Sequence, residues 1–138
     1  LQVAPAGEGG RGRMTPGPGN ADHLAWLYGR DLEGLAVNLD WGFFSSPGLW
    51  HRGVGAHTHP ADEVLVFVGT DPAQAGRLGA EIEIDLGKEH ERHLISRPSV
   101  VVIPAGIPHA PIVTRWVDRA FAFFSINLAG EPGMTFVD

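Results

Sequence analysis

Two strings in this 138-residue chain gather side chains able to bind a metal. The first is Gly55-Ala-His57-Thr-His59-Pro-Ala-Asp-Glu63. His57 and His59 stand two apart, and on a strand that spacing puts both imidazoles on one face. Glu63 follows a short Pro-containing turn and opens the apolar run Val64–Val68. A carboxylate entering a barrel interior there is costly unless it is paired or bound to a metal. Two imidazoles and a carboxylate suit a first-row divalent ion. The second string is Ser99-Val-Val-Val-Ile103-Pro104-Ala-Gly106-Ile-Pro-His109. It runs a buried strand into a tight Pro/Gly turn, and His109 opens the strand beyond. In a closed barrel that turn brings a third imidazole to face the first two. An HxH pair alone is a weak signal, since a lone His on an apolar strand is ordinarily a hydrogen-bonded core residue.

The remaining histidines, His23, His51, His90 and His93, read as surface or interface residues, with His51 nearest the first string. Asp62 precedes Glu63, and neighbours on a strand point to opposite faces, so Asp62 is expected to face water. No Gly-rich phosphate loop, Ser-His-Asp set or nucleotide signature is present.

These side chains need strands to place them. Leu35, Val37, Leu39, Trp41 and Phe43 alternate with Ala36, Asn38, Asp40 and Gly42, the period of a half-buried strand. Ile82, Ile84 and Leu86 alternate with Glu81, Glu83 and Asp85 in the same way. Strands are also expected over 64–68, 91–95, 99–103, 109–113 and 120–128, with a short one over 134–137. Residues 71–79 hold at most one helical turn, and no longer segment has helical period. The 19 Gly and 11 Pro fit many short strands joined by turns. The chain reads as an all-β single domain over 23–138, preceded by a flexible Gly/Pro-rich arm over 1–22. Leu1 to Val3 have an alternative use, pairing with a sheet edge.

Composition removes several classes of function. Cysteine is absent, which excludes disulfides, thiolate metal sites and a Cys nucleophile. The net charge of −6 and the scattered basic residues argue against nucleic-acid binding. No apolar stretch is long enough for a membrane helix. Without cysteine or a signal-like segment, the expected compartment is the cytoplasm.

The two strings together resemble the two motifs of the cupin superfamily, G(X)5HXH(X)3,4E(X)6G and G(X)5PXG(X)2H(X)3N. His57-x-His59-x3-Glu63 and Pro104-x-Gly106-x2-His109 match at every ligand position and at the turn. The resemblance covers about residues 35–128. It departs at framing positions: His51 and Pro98 replace the leading glycines, Gly69 comes one residue early, and Val113 replaces the final Asn. The resemblance implies a double-stranded β-helix, or jelly-roll barrel. It implies one divalent metal (Fe, Mn, Ni, Co, Cu or Zn) bound by His57, His59, Glu63 and His109. Such a set leaves up to two octahedral positions open for chemistry.

Candidate pocket residues are Trp41, Phe43, Phe67, Phe121 and Phe123 on strands expected to face inward. Core packing is the plainer role for each. Phe121, Phe123, Ser125 and Asn127 share one parity. If that parity faces inward, Ser125 and Asn127 are polar groups among apolar walls, suited to orienting a ligand. With the other parity inward they are exposed. Trp50, His51 and Arg52 precede the first string and are placed at the barrel mouth, and Arg52 or Arg115 is a candidate partner for a substrate carboxylate. The leading expectation is a metal-dependent enzyme on a small molecule, of dioxygenase, decarboxylase, isomerase or lyase type. The alternative is a non-enzymatic small-molecule-binding or regulatory module with a structural metal; open coordination inside a deep pocket marks the enzyme, and a closed, side-chain-filled barrel mouth marks the module. Exposed strand edges and the habits of the family both point to a homodimer.

Overall fold

The computed structural model describes residues 3–50 and 55–137. Twelve strands make up the described chain. They are β1 (Arg13–Pro16), β2 (His23–Leu27), β3 (Asn38–Phe44), β4 (Gly48–Leu49), β5 (His57–Thr58) and β6 (Glu63–Val68). They continue with β7 (Ala80–Leu86), β8 (Glu91–Ile95), β9 (Ser99–Ile103), β10 (His109–Val117), β11 (Phe121–Asn127) and β12 (Thr135–Phe136). One sheet has the order β1-β2-β3-β11-β6-β9 and the other β12-β5-β10-β7-β8, with β4 added on β10. The strand pairs are antiparallel throughout. The two sheets face each other as a jelly-roll sandwich. Among the described residues the only helical turns are 3-10, at Gly29–Asp31 and Pro72–Gln74. No helix among the described residues is long and apolar enough to cross a membrane.

The expected arm requires a correction. Arg13–Pro16 falls within it but forms β1, paired with β2 in the register Arg13↔Trp26 to Pro16↔His23. A boundary at residue 22 would cut this pair in two. Even upstream, Arg11 N–H donates to the Pro5 carbonyl at 2.8 Å, so main-chain bonds close a turn in the Gly-rich segment. Composition alone misjudges it because backbone pairing needs no large side chains. Leu1 and Gln2 lie outside the described residues, and Val3 is exposed and in no strand.

The core fills one end of the sandwich with aromatic rings. Phe44 stacks on Trp50 with centroids 4.0 Å apart and on Phe121 at 5.4 Å. Phe123 meets Trp50 edge-on at 4.8 Å and Phe67 at 5.2 Å. Phe67 and Phe121 are fully buried, each contributing roughly 1.5–3 kcal/mol by area. Ile82 and Ile84 close the core from the other sheet. The Trp50 Nε1–H donates to Thr114 Oγ1 at 2.8 Å, which holds the indole in one orientation.

The parity of β3 also corrects the sequence reading. Asn38, Asp40, Gly42 and Phe44 face inward and are buried. Trp41 and Phe43 face outward. Phe43 is 46% exposed, and Trp41 lies against Phe124, also outward, at 6.5 Å between centroids. Alternation identifies two faces but not which one meets the core. Here the more apolar set lies on the outside.

Replacing Thr114 by Val keeps the shape but leaves the buried Trp50 N–H without an acceptor. The expected cost is about 1–3 kcal/mol of stability in denaturant titrations. A Thr114→Val chain as stable as wild type would remove this bond from the forces orienting the indole.

Candidate metal centre

The centre forms where the ends of the two sheets meet. His57 lies in β5 and His109 opens β10, directly paired with it. His59 follows β5 in the loop to β6. Glu63 opens β6 in register with Asn127, which ends β11. The β9–β10 turn clamps this loop: Gly106 N–H donates to the His59 carbonyl at 2.9 Å. Ala105 N–H donates to Asp62 Oδ1 at 2.8 Å. Asp62 therefore serves the turn rather than simply facing water. Gly106 has φ +79°, a conformation that L side chains rarely adopt, so the Pro-Ala-Gly turn that presents His109 depends on this glycine.

All three imidazoles are buried, and their ligand atoms lie within 4.8 Å of one another. Each ring has its Nδ1 against a main-chain carbonyl. His57 Nδ1 is 3.0 Å from the Gly55 oxygen, His109 Nδ1 is 3.1 Å from the Ile107 oxygen, and His59 Nδ1 meets the Gly133 oxygen. A carbonyl can only accept, so each Nδ1 carries the proton as donor. The neutral ring then presents Nε2 as a lone pair, the state a metal requires. Burial, foremost, holds His57 and His109 below the ordinary imidazole value of 6.5. The bonds to Gly55 and Ile107 oppose this, and neighbouring imidazoles reinforce it. Both rings are thus kept neutral near pH 7. Three converging imidazoles fit a divalent first-row ion.

Glu63 stands beside this trio rather than within it. Its Oε2 lies 3.1 Å from His59 Nε2 and accepts from Asn127 Nδ2 at 3.1 Å. The Asn127 Oδ1 is buried with no hydrogen-bond partner.

A cavity of about 280 Å³ opens over the imidazoles. Phe123, Ser125 and Asn127 line it, so the parity of β11 that faces inward is the one that makes Ser125 and Asn127 polar groups in an apolar wall. Phe67 and Phe121 belong to the core behind it. Trp41 and Phe43 lie on the far side of their sheet, which corrects their assignment to the pocket. His51 and Arg52 are outside the described residues. Arg115 points away, pairing with Glu83 at 2.7 Å and Glu81 at 3.3 Å. His23, His90 and His93 are exposed.

Sequence reading missed Trp26, Tyr28, Asn38 and Asp40 as lining residues. The alternation His23-Leu-Ala-Trp26-Leu-Tyr28 held the signal for the first two. Asn38 and Asp40 were hidden by the inverted parity of β3. Trp50, placed at the mouth by sequence, is a buried wall of the cavity instead.

The depressed imidazoles set a pH dependence for the metal-free chain. An unfolded His takes up its proton near 6.5, whereas the folded His57 and His109 do so only at lower pH. Stability is therefore complete above 6.5 and declines as pH falls below it. Thermal melts in chelator from neutral to mildly acidic pH should show this fall, and His57→Ala should flatten it. A midpoint that rises on acidification contradicts the assignment.

No protein-family model and no curated protein matches the chain. Solved structures do. Recombinant oxalate oxidase in complex with glycolate superposes with TM-score 0.58 at 15% identity, over 88% of this chain and 58% of that one. Oxalate decarboxylase from Bacillus subtilis at pH 4.6 gives 0.59 at 13% identity, over 89% of this chain and 29% of the other. The polyketide cyclase RemF from Streptomyces resistomycificus gives 0.54 at 13% identity, covering 86% and 74%. The chain thus spans somewhat over half the length of the oxalate oxidase and under a third of the oxalate decarboxylase it resembles. At these identities the likeness concerns the fold, and the fold of this chain is that of the cupins.

Proposed function

We propose that this chain is a metal-dependent cupin enzyme acting on a small molecule. One observation carries the reading: three buried imidazoles, each with Nδ1 tied to a main-chain carbonyl, direct Nε2 toward a common point beneath an open cavity. His57, His59 and His109 would hold one divalent transition metal, with Glu63 as the fourth ligand. When bound, such an ion supplies Lewis acidity and an open position for substrate, water or O2.

The chain's own residues supply the rest. Asn127 orients the Glu63 carboxylate through Nδ2. Its Oδ1 offers a bound ligand an acceptor that otherwise stays unsatisfied, and leaving it so is costly. Trp26, Tyr28, Trp50, Phe123, Leu65 and Ile112 give the cavity broad apolar walls. A cavity near 280 Å³ is far more than a two-carbon acid fills. The substrate in this proposal has a ring-sized apolar body and an oxygen donor that reaches the metal. Dioxygenation, decarboxylation, isomerisation and lyase chemistry all suit an open coordination site; the oxalate enzymes and the polyketide cyclase among the structural neighbours show the range that this fold supports. The cavity over the imidazoles is open rather than filled by side chains, which supports the enzyme over a module with a closed barrel mouth.

Chelator-stripped protein reloaded separately with Mn, Fe, Co, Ni, Cu and Zn should retain one equivalent of a preferred ion by elemental analysis. His57→Ala and His109→Ala should abolish that retention. Asn127→Ala should weaken metal affinity about 10–100-fold, the range for a group that orients a ligand. Unchanged metal content in both histidine variants would falsify the site. Turnover screens should then favour ring-bearing hydroxy or keto compounds over oxalate.

A further inference from the structure

A second hollow adjoins the metal cavity on its β1–β2 side. It is a groove of about 520 Å³ lined by Arg13, Thr15, Trp26, Tyr28, Arg30 and Asp31 among others. Trp26 and Tyr28 also line the cavity, so these two rings stand where groove and cavity meet. The backbone ties the groove to the cavity rim at a further place. Gly29 N–H donates to the Gly130 carbonyl at 2.7 Å, two residues before Pro132 of the cavity wall.

Strand register explains this adjacency. Residues directly opposite on antiparallel strands share a face. Ser125 lies opposite Asp40, Asp40 opposite Trp26, and Trp26 opposite Arg13. One inward row therefore runs out of the cavity and ends on β1 at Arg13. Ser125 and Arg13 stand three strand spacings apart, roughly 14 Å. Gly12 seats β1 against this row. Its φ is +67°, and a Cβ there would run into the Trp26 carbonyl oxygen.

The groove differs from the cavity in charge. Arg13 is exposed and has no ion pair among the described residues. Arg30 lays its guanidinium over the Tyr28 ring, 4.7 Å from the centroid. It also meets Glu131 at 3.3 Å, but both side chains are largely exposed, and such a pair is weak enough to exchange for a ligand. Asp31 is the one carboxylate in the lining, and its Oδ2 already accepts from the Tyr28 N–H at 2.9 Å. Two guanidiniums against one engaged carboxylate make the groove cationic in a chain of net charge −6. The guanidinium fork matches a carboxylate, and the flat faces of Trp26 and Tyr28 suit a planar ring beside it. Resting on the reading of the cavity as a substrate site, we propose that Arg13 and Arg30 form a subsite for the acidic end of the substrate. The substrate is then an elongated aromatic acid. Its oxygen donor points to the imidazoles, its ring lies in the cavity, and its carboxylate reaches past Trp26 and Tyr28 to the arginines.

The test titrates 6-hydroxy-2-naphthoate and its uncharged carboxamide into the full chain, with and without bound metal, by calorimetry. The acid should bind about tenfold more tightly than the amide, the size of one charge-assisted contact at an exposed site. Arg13→Gln should abolish that preference by weakening the acid alone, and Arg13→Lys should restore part of it. Arg30→Gln should reduce it. Ser125→Leu, which fills the cavity, should weaken both probes alike. Arg13 is exposed, so its variants should keep the wild-type melting temperature and metal content. Equal binding of acid and amide overturns the proposal. So does an Arg13→Gln chain that loses both probes together, or acid binding that Ser125→Leu leaves untouched, which would put the acid in the groove alone. A chain that retains its metal yet shows no preference for the acid sinks the subsite and spares the metal centre. A chain that retains no metal yet prefers the acid through Arg13 sinks the metal centre and spares the subsite.

Discussion

The burial of three imidazoles within reach of one another is the constraint on which the rest of this molecule depends. Charged, they would repel in a site poor in water, and desolvation makes the protonated form worse. Burial keeps His57 and His109 neutral, and a carbonyl at each Nδ1 fixes which nitrogen holds the proton: Gly55 for His57, Ile107 for His109, Gly133 for His59. Each of these carbonyls belongs to a different stretch of chain. The tautomers of His57 and His109 are set locally, by carbonyls two residues earlier, whereas that of His59 is set by tertiary structure, through Gly133 in the segment before β12. The Pro104–Gly106 turn presents His109 and, through Gly106 N–H, also fixes the His59 loop.

The site draws its parts unequally from the two sheets. His57 and His109 stand on the β5–β10 pair, whereas Glu63, Asn127, Ser125, Asn38 and Asp40 belong to the sheet opposite. Imidazoles on one wall thus face hydrogen-bonding groups on the other. Glu63 lies between them, touching His59 on one side and Asn127 on the other. The aromatic cluster around Trp50 closes the far end with packed rings, while Pro132 and Met134 line the cavity from the β11–β12 loop.

How much of this was legible depended on whether spacing or parity carried the information. The histidine strings were legible because their spacing is local: HxH at one strand end, Pro-x-Gly before a histidine. The all-β class was legible from turn residues and alternation. Pairing in the arm was not, because Arg13–Pro16 is held by backbone bonds that composition does not express. Trp41 and Phe43 were assigned to the wrong face by a rule that is usually sound, that the apolar face of a strand meets the core. It misled on β3 because the inward face there is reserved for pocket groups, Asn38 and Asp40 among them.

That inversion links the two surfaces of the sheet. A cavity needs polar groups in fixed places, and a strand that supplies them inward gives up apolar burial on that side. For β3, two of the four inward positions are polar and one is glycine, leaving Phe44 as its main inward contribution to the core. The missing burial has to be found elsewhere if the strand is to stay ordered. Leu39, Trp41 and Phe43 on the outer side are where it is available, and covering them removes apolar area from water at about 25 cal/mol per Å².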